Sequence, residues 1–453
     1  MPSSLPRIPT ADSLQTSRRA QRTVPQWLVA IAASIVLIGS SLGVHVSPVA
    51  ADTTPPPPPI IPNTTFHGRG YGHGVGMSQY GARGRALAGQ LAPTILAHYF
   101  PKTTLGARSP GTAVRVLLLT GFVGTAAKPL TIVGRGGSFV MDGVAKTFPA
   151  DAKVTFVPIA VGSPTWTVKV TSAAGAVLHS GTMNGYQFVR PATPTSLLQL
   201  VSKATTTNVY RGAFRIRLNT TAMVMNHVGL DLYLRGVVPL EMPSSWPIQA
   251  IQAQAIAARS YAVYRLHPTV GTFDVYDDTR SQVYRGKNAE TAAGTAAVSA
   301  TAGKVLLSGT AVVNAMFHSA DGGWTENNEN VFVSSAGNIV AGPVSYLRGS
   351  SDRAPDGTSW DKSSPYATWK TLTYTGAALS AILAKDARTN VGTLTKLDLS
   401  RRGVSGRLIS VTVTGSLGTK TVSGGVFRSA FNAGKPAADP QLRSTLFDTK
   451  PIP

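Results

Sequence analysis

The pattern of apolar and polar residues divides the chain into a β-rich part and a small number of helices. Short β-branched runs between Ala113 and about Val189, such as VRVLLL, LTIVG and WTVKVTS, are separated by Gly, Pro and Asp or Asn turns, which predicts a small all-β unit. Further strands are predicted over residues 210–235, 304–308, 311–319, 394–400, 408–415 and 420–425, and helices over residues 86–99, 245–265, 289–302 and 377–384. We therefore expect an α+β fold with a β-rich core and an additional small all-β unit.

One carboxylate stands alone ahead of the longest predicted helix. Residues 234–265 read LRGVVPLEMPSSWPIQAIQAQAIAARSYAVYR, and Glu241 is the only acid in this stretch. Pro239 and Pro243 fix their own backbone angles, which predicts a stiff, non-helical turn around Glu241. This acid is the candidate proton donor. The competing interpretation is that a Glu ahead of a helix is solvated or complements the helix dipole.

The helix after this turn is rich in alanine and carries polar groups. It is predicted to begin near Ser245, as N-cap, with Pro247 at the first helical position. Gln252 and Arg259 are seven residues apart and therefore share a face of the helix. The turn thus offers a carboxyl group, and the helix offers amide and guanidinium donors.

A glycine-dense segment precedes the β unit. Residues 68–84 read GRGYGHGVGMSQYGARG, which fits neither the G-x-G-x-x-G pattern nor a P-loop. Alternating glycines indicate either a tight turn or a backbone-lined surface on which a polymer can lie. His67 and His73 lack the spacing of metal ligands, so no metal and no other cofactor is predicted.

The first 65 residues have the features of an export signal and a spacer. Three arginines precede an uncharged stretch from Trp27 to Val46, and small residues follow it, so residues 1–51 are predicted to be a signal peptide. The apolar run is also long enough to span a bilayer, which leaves an uncleaved anchor as the alternative. Residues 52–65 contain five consecutive prolines and predict a stiff linker. The protein is expected to be secreted or cell-wall associated, or anchored to the outer face of the cytoplasmic membrane, with no other membrane contact.

The composition is strongly basic and contains no cysteine. Lys and Arg number 42 against 20 Asp and Glu, a formal net charge of +22, which is typical of a protein with a polyanionic partner. No block of consecutive basic residues and no basic-aromatic strand motif indicates nucleic acid, so wall polymers are the expected anions. The absence of Cys excludes disulfides, a thiol nucleophile and Cys-ligated metal sites.

Five separated motifs resemble one known family. They are GRGYGHGVGMSQYGARG (68–84), YLRGVVPLEMPSSWPIQAIQAQAIAARSYAV (233–263), DTRSQVYRG (278–286), FHSADGGWTEN (317–327) and SGRLISVTVTG (405–415). Together they resemble the stage II sporulation protein D family, which includes amidase enhancers. The resemblance implies a Gly-rich module at residues 66–105, an inserted β unit at residues 106–195 and a main catalytic domain at residues 196–450. In that family the Gly-rich motif follows the Glu turn, so this chain resembles a circular permutation, and we expect residues 66–74 to form a strand beside residues 444–448.

The resemblance also implies a function. In the family, the Glu of the P-x-E-M turn is the catalytic acid of a peptidoglycan lytic transglycosylase that acts on glycan strands without stem peptides, which points to Glu241. The substrate-binding residues expected from the same motifs and their surroundings are Arg259, Gln252, Ser260, Tyr261, His73, Ser78, Gln79, Tyr80, Gln282, Tyr346 and Arg348. One acid suffices, because the sugar's own C6 hydroxyl attacks and leaves a 1,6-anhydro-MurNAc end. Arg259 and Arg348 are expected to bind lactyl carboxylates.

Four other acids could complicate a mechanism with one carboxylate. Turn formation is predicted for Asp277 and Asp278, and solvated loops for Asp321 and Glu326. Two further functions remain open. One is a non-catalytic wall-binding protein that stimulates an N-acetylmuramoyl-L-alanine amidase. The other is a polyanion binder built around the β unit, whose salt-sensitive binding would survive deletion of the Glu241 turn.

Overall fold

The described chain begins with a Gly-rich strand and two helices. The computed structural model describes residues 60–267 and 269–452, so the predicted signal segment and most of the predicted linker lie outside the described residues. The first elements are β1 (Thr64–Gly68), β2 (Met77–Ser78), α1 (Gln79–Leu87), α2 (Ala92–Tyr99) and β3 (Thr104–Ala107). The prediction of one helix over residues 86–99 is wrong. Gly89 adopts a φ of 84°, and the chain re-enters a helix only after Leu91, with Pro93 in the first turn.

Two β-sheets form the β unit. Its strands are β4 (Ala113–Phe122), β5 (Leu130–Arg135), β6 (Phe139–Met141), β7 (Val144–Phe148), β8 (Lys153–Pro158), β9 (Trp166–Thr171), β10 (Val177–Met183), β11 (Gly185–Pro191), β12 (Leu197–Leu200), β13 (Val209–Tyr210), β14 (Ala213–Leu218) and β15 (Ala222–Gly229), joined by the later β16 (Val275–Tyr276). The six-stranded sheet has the order β10-β9-β8-β5-β12-β13, and the seven-stranded sheet has the order β16-β4-β15-β14-β11-β6-β7. Buried and more exposed residues alternate along strands such as β9 and β14, and the buried side chains of both sheets share one apolar core.

Helices follow the β unit and carry the Glu241 segment. They are α3 (Leu230–Arg235), α4 (Val238–Glu241), α5 (Ile248–Tyr264) and α6 (Ala292–Ala300), with a 3-10 turn at Gly286–Ala289. The short elements after them are β17 (Lys304–Ser308), β18 (Ala311–Val312), β19 (Phe317–His318) and α7 (Asn328–Val331). Helix α5 contacts α1, α2, α3 and α6, and its buried alanines allow this close approach.

The Glu241 segment differs from its prediction in one respect. It is a one-turn helix rather than a non-helical turn, because Pro239 lies in the first turn, where a missing N–H costs nothing, and the Glu241 N–H donates to the Val237 carbonyl. Helix α5 begins at Ile248, and its N-cap is Pro247 rather than Ser245. The stiffness expected of the segment therefore comes from helical hydrogen bonds as well as from proline.

The C-terminal part has its own apolar core. Its elements are β20 (Trp369–Tyr374), α8 (Gly376–Ala384), β21 (Leu394–Asp398), β22 (Ser410–Gly415), β23 (Gly418–Ser423), α9 (Gly424–Gly434) and β24 (Phe447–Asp448). Strand β1 lies between β20 and β24, and Gly72 bridges to Ser444. The predicted pairing of residues 66–74 with residues 444–448 is thus confirmed. Phe66 anchors it by packing its ring 5.3 Å from that of Phe447.

The observed architecture confirms the predicted α+β class with a β-rich core. Helices and strands are both abundant, the strands form several sheets, and helix α5 follows the Glu241 segment. Within residues 60–267 and 269–452, no helix is long and apolar enough to cross a membrane.

Candidate functional site

Glu241 lies at the end of α4 in a largely apolar setting. Its neighbours Val237, Val238 and Met242 are fully buried, while Glu241 itself is partly exposed. In the described part of the chain it has no ion-pair partner; its carboxylate accepts a long hydrogen bond of 3.5 Å from Gln79 Nε2. Burial raises the pKa of Glu241 above 4.5, and hydrogen bonds from Gln79 and the Val283 N–H oppose this shift only in part. The carboxyl group is therefore biased toward its neutral, proton-donating form.

Gln79 connects Glu241 to the interior. It is the first residue of α1, whose N-terminus is fixed by the Ser78 hydroxyl, which accepts a hydrogen bond of 3.1 Å from the Gly81 N–H. The Gln79 amide also lies 3.5 Å from Gln254 Oε1, and Gln254 is fully buried on α5. Ser78 is therefore a helix cap, and Gln79 is the side chain that reaches the carboxylate.

Two tyrosines form the inner side of the site. Burial raises the pKa of both Tyr233 and Tyr261, and the charge of Glu241 adds to each shift, although the charge of Arg265 opposes it at Tyr261. The Tyr233 hydroxyl donates to Gln282 Oε1 at 3.2 Å, and Gln282 Nε2 donates to the Ala258 carbonyl at 3.4 Å. Gln282 thus holds Tyr233 in place and immediately precedes Val283, whose N–H interacts with the carboxylate.

Two partly exposed aromatic residues adjoin the site in sequence, since Tyr80 follows Gln79 and Trp246 comes shortly after Glu241. The rings of Tyr80 and Trp246 meet edge to face with centroids 4.8 Å apart, and the Arg83 guanidinium lies 5.6 Å from the Trp246 ring. All three side chains are partly exposed. Aromatic faces and a nearby cation are groups that bind sugar rings and anionic substituents.

Arg259 does not reach this surface. Its side chain is fully buried, its Nε donates to Asp231 at 2.7 Å, and its other nitrogens donate to Thr301 and to the carbonyls of Val298 and Lys304. The expectation that Arg259 binds a lactyl carboxylate is corrected, because its side chain is fully buried and each nitrogen of its guanidinium group already donates to protein.

Two other helix residues differ in burial. Ser260 is buried, donates to the Ile256 carbonyl at 2.7 Å and accepts from the Leu306 N–H at 2.9 Å, so it ties α5 to β17. Gln252 is partly exposed on the same helix and makes no hydrogen bond to Glu241 in the described structure.

His73 lies in a separate cluster. Its Nδ1 accepts from the Val75 N–H at 3.0 Å, and its ring centroid is 5.3 Å from that of His318. One edge of the ring is still exposed, but burial and the charge of Arg407 lower its pKa to about 4. His73 is therefore a neutral packing residue near pH 7, and no contact joins it to Glu241.

Tyr346 and Arg348 lie on the loop after α7. The Tyr346 hydroxyl accepts from the Asn314 N–H at 3.2 Å. Arg348 forms a two-pronged ion pair with Glu329, with both N–O distances at 2.7 Å. A ligand carboxylate would have to compete with Glu329 for this guanidinium.

The acids predicted to lie in solvated loops are buried. Glu326 is fully buried and accepts from the N–H groups of Asn327, Val404 and Ser405. Asp321 is also fully buried, and burial together with the charges of Asp352 and Asp361 raises its pKa. The prediction was wrong because both acids are enclosed by segments distant in sequence. Asp277 and Asp278 lie at turns, as predicted, and each pairs with a basic residue.

Sequence reasoning missed Gln254, Tyr233 and Asp231. Gln254 lies on the α5 face that includes Ala250 and Ala257, so its helical position could have identified it as an inward polar group. Nothing local distinguishes Tyr233 or Asp231, whose partners come from later segments.

The fold and the site define an α+β protein with one partly buried, unpaired carboxyl group beside amide and aromatic side chains. Residues 218–307, which include Glu241, match the family model described as SpoIID, Stage II sporulation protein. This stretch of the chain is therefore similar to the SpoIID family.

Curated relatives agree with this assignment. The chain is 34% identical over 153 residues to the amidase enhancer of Bacillus subtilis (strain 168), covering 32% of this chain and 21% of that protein. It is 33% identical over 172 residues to the stage II sporulation protein D of the same organism, covering 34% and 46%. An uncharacterized protein of Brachyspira hyodysenteriae is 36% identical over 125 residues, covering 27% and 34%. The chain thus spans less than half the length of these relatives, and no solved structure matches it.

Proposed function

We propose that this protein is an exported peptidoglycan lytic transglycosylase that cleaves glycan strands without stem peptides and uses Glu241 as its acid and base. The observation that carries the proposal is the lone carboxyl group. Its pKa is raised by burial, and no second carboxylate is among the groups that perturb it. Glycosidases that hydrolyse their substrate normally place two carboxylates around the bond. One acid is what an intramolecular reaction requires.

The reaction consists of two proton transfers at one group. The neutral Glu241 donates its proton to the leaving GlcNAc oxygen while the bond from that oxygen to the MurNAc anomeric carbon breaks. The C6 hydroxyl of the same MurNAc then forms a bond to the anomeric carbon and gives its proton to the Glu241 carboxylate. The product carries a 1,6-anhydro ring, and the acid is regenerated without water.

Neighbouring residues have separate roles in this mechanism. Gln79 orients the Glu241 carboxyl group, and the buried Tyr233 and Tyr261 keep that side of the acid dry. The rings of Tyr80 and Trp246 offer stacking surfaces for sugar units. Arg83, partly exposed beside Trp246, replaces Arg259 as the residue we expect to attract a lactyl carboxylate.

A second function has its own support. One relative is named amidase enhancer and shares 34% identity over 153 residues. In that case the same surface would bind glycan and stimulate a wall amidase, and Glu241 would not transfer protons.

The two functions are separated by incubating the purified protein with denuded glycan strands and analysing the products by mass. A transglycosylase yields anhydro-muramyl ends, and Glu241→Gln lowers their formation by about 10² to 10⁴. The matched control is Asp278→Asn, which neutralises an exposed, Arg280-paired acid and should keep activity within twofold. If the wild-type protein forms no anhydro ends but accelerates an added amidase, the enhancer function is correct.

A further inference from the structure

The outer face of the seven-stranded sheet carries arginines and aromatic rings in adjacent strands. Strand β14 alternates inward apolar residues with the outward Arg215 and Arg217. Its neighbour β11 places Phe188 opposite Arg215 and Tyr186 opposite Arg217. Since opposite residues of paired strands point to the same side, these four side chains form one surface, which we call the arginine face.

The rings and guanidinium groups of the arginine face are stacked. The Arg215 guanidinium lies 3.9 Å from the Tyr186 ring centroid and 5.8 Å from that of Phe188, and Arg190 lies 4.1 Å from Phe188 on the same strand. Tyr186 is 44% exposed, so the stack is open to solvent. Stacking fixes the orientation of guanidinium groups that would otherwise be mobile.

The positive charge of this face is not neutralised by the protein. The side chains of Arg215 and Arg217 form no ion pair and no hydrogen bond within the described chain, and the Nε atoms of both are buried without a partner. The nearby acids are already engaged, since Asp142 pairs with Arg190 and Asp274 pairs with Arg115. The guanidinium group of Arg215, which is oriented by stacking, and that of Arg217 are therefore available to an external anion.

We propose that the arginine face is a second binding site, separate from the Glu241 site, for a linear polymer of polyols joined by phosphodiesters. Arg215 and Arg217 lie two residues apart on one strand, about 7 Å between their Cα atoms. This spacing suits phosphates separated by one short polyol. Lactyl carboxylates occur only once per disaccharide and are therefore spaced more widely. Guanidinium forks bind phosphate oxygens in pairs.

The stacking argues against single-stranded nucleic acid as the ligand. Bases bind such proteins by stacking on free aromatic faces. Phe188 has two guanidinium groups within 6 Å, and one face of Tyr186 is covered by Arg215, so little ring surface remains. A polyol phosphate needs no aromatic face.

The test measures binding of the full protein to purified polyglycerol phosphate at several salt concentrations. We expect Arg215→Gln with Arg217→Gln to weaken binding about tenfold and to reduce its salt dependence. The matched control is Lys153→Gln with Lys169→Gln, which removes the same charge from exposed positions of the six-stranded sheet and should change affinity less than twofold. Glu241→Gln should bind as the wild type does, which separates this proposal from the proposed function.

Several outcomes would overturn the proposal. They are no binding of the polymer, equal losses in the arginine and lysine variants, or tighter binding of denuded glycan or of an oligonucleotide of equal charge. If the double arginine variant fails to fold, arginine-selective chemical modification of the wild-type protein tests whether the polymer contacts this face. Bound polymer should then protect Arg215 and Arg217 while leaving Arg135, on the other sheet, reactive, and equal reactivity with and without polymer would contradict the proposal.

Discussion

Glu241 and Asp352 both interact with helix α1, but their carboxylates are held in opposite ways. Asp352 accepts from Arg85 at 2.8 Å and from the Tyr99 hydroxyl at 2.8 Å, and although burial favours its neutral form, its pKa is held low by His98 and Arg85. Glu241 has only the long contact to Gln79 and a raised pKa. One helix thus fixes a charged acid in the core, while the raised pKa of the other acid, near the surface, biases it toward its neutral form. A proton donor is expected to be of the second kind.

Arginines show the same contrast. Each nitrogen of the Arg259 guanidinium group donates to protein in the core, whereas the side chains of Arg215 and Arg217 have no ion-pair or hydrogen-bond partner in the described chain. Charged groups that build the fold are satisfied by protein, and those left unsatisfied near the surface are candidates for binding.

The largest expected effect on stability comes from replacing Asp352, the acid whose carboxylate is held by protein groups. Asp352→Asn leaves the buried Arg85 charge without its partner, so the free energy of unfolding should fall by about 3 kcal/mol. Chemical denaturation measures it, and the folded fraction should still produce anhydro ends. The exposed Asp278→Asn serves as control, with a change below about 1 kcal/mol. If Asp352→Asn lowers the free energy of unfolding no more than the control does, the proposed contrast between the two acids is wrong.

His73 should make the stability of the protein depend on pH. Its folded pKa of about 4 lies below the ordinary 6.5, so the unfolded chain binds more protons between these values, and stability is lost as pH falls through this window. Replacing His73 by Gln should flatten this part of the stability curve by roughly 1 to 3 kcal/mol. Denaturation series at pH 4.5 and pH 7 measure the change. An unchanged slope would show that the imidazole is not buried as described.

The smallest effect concerns Gln79. Because the Gln79 amide orients the Glu241 carboxyl group, Gln79→Ala should lower activity about fivefold. Since the same amide favours the charged form of Glu241, its removal should also move the alkaline fall of activity to higher pH. The matched control is Gln441→Ala, which removes an exposed glutamine near the C-terminus and should change neither quantity. Initial rates on denuded glycan between pH 4 and pH 9 provide the readout; a shift toward lower pH would contradict the assignment.

The sequence was informative where local patterns determine structure. Strand alternation predicted the β unit, and the permuted motif order predicted that the Gly-rich strand lies beside residues 444–448. Glu241 was chosen as the candidate acid because it is the only acid of its segment. These features depend on neighbours in sequence or on a motif read as a whole.

Contacts between distant segments could not be read in the same way. The spacing of Gln252 and Arg259 correctly predicts a shared helix face, but it does not reveal that Asp231 binds the arginine in the core. Glu326 was assigned to a solvated loop because the strand and loop residues that enclose it follow about 80 positions later. Burial of polar groups is decided by tertiary packing, which a single sequence does not display.

The central claim is that Glu241 is a proton donor and not a structural residue, and one pair of measurements on Glu241→Gln tests it. Burial raises the pKa of the native acid, so ionisation costs stability as pH rises, and the neutral Gln should leave the variant at least as stable as the wild type at pH 7. We predict this unchanged stability together with a fall of about 10²-fold or more in the rate at which anhydro-muramyl ends form. Normal product formation by the folded variant would contradict it.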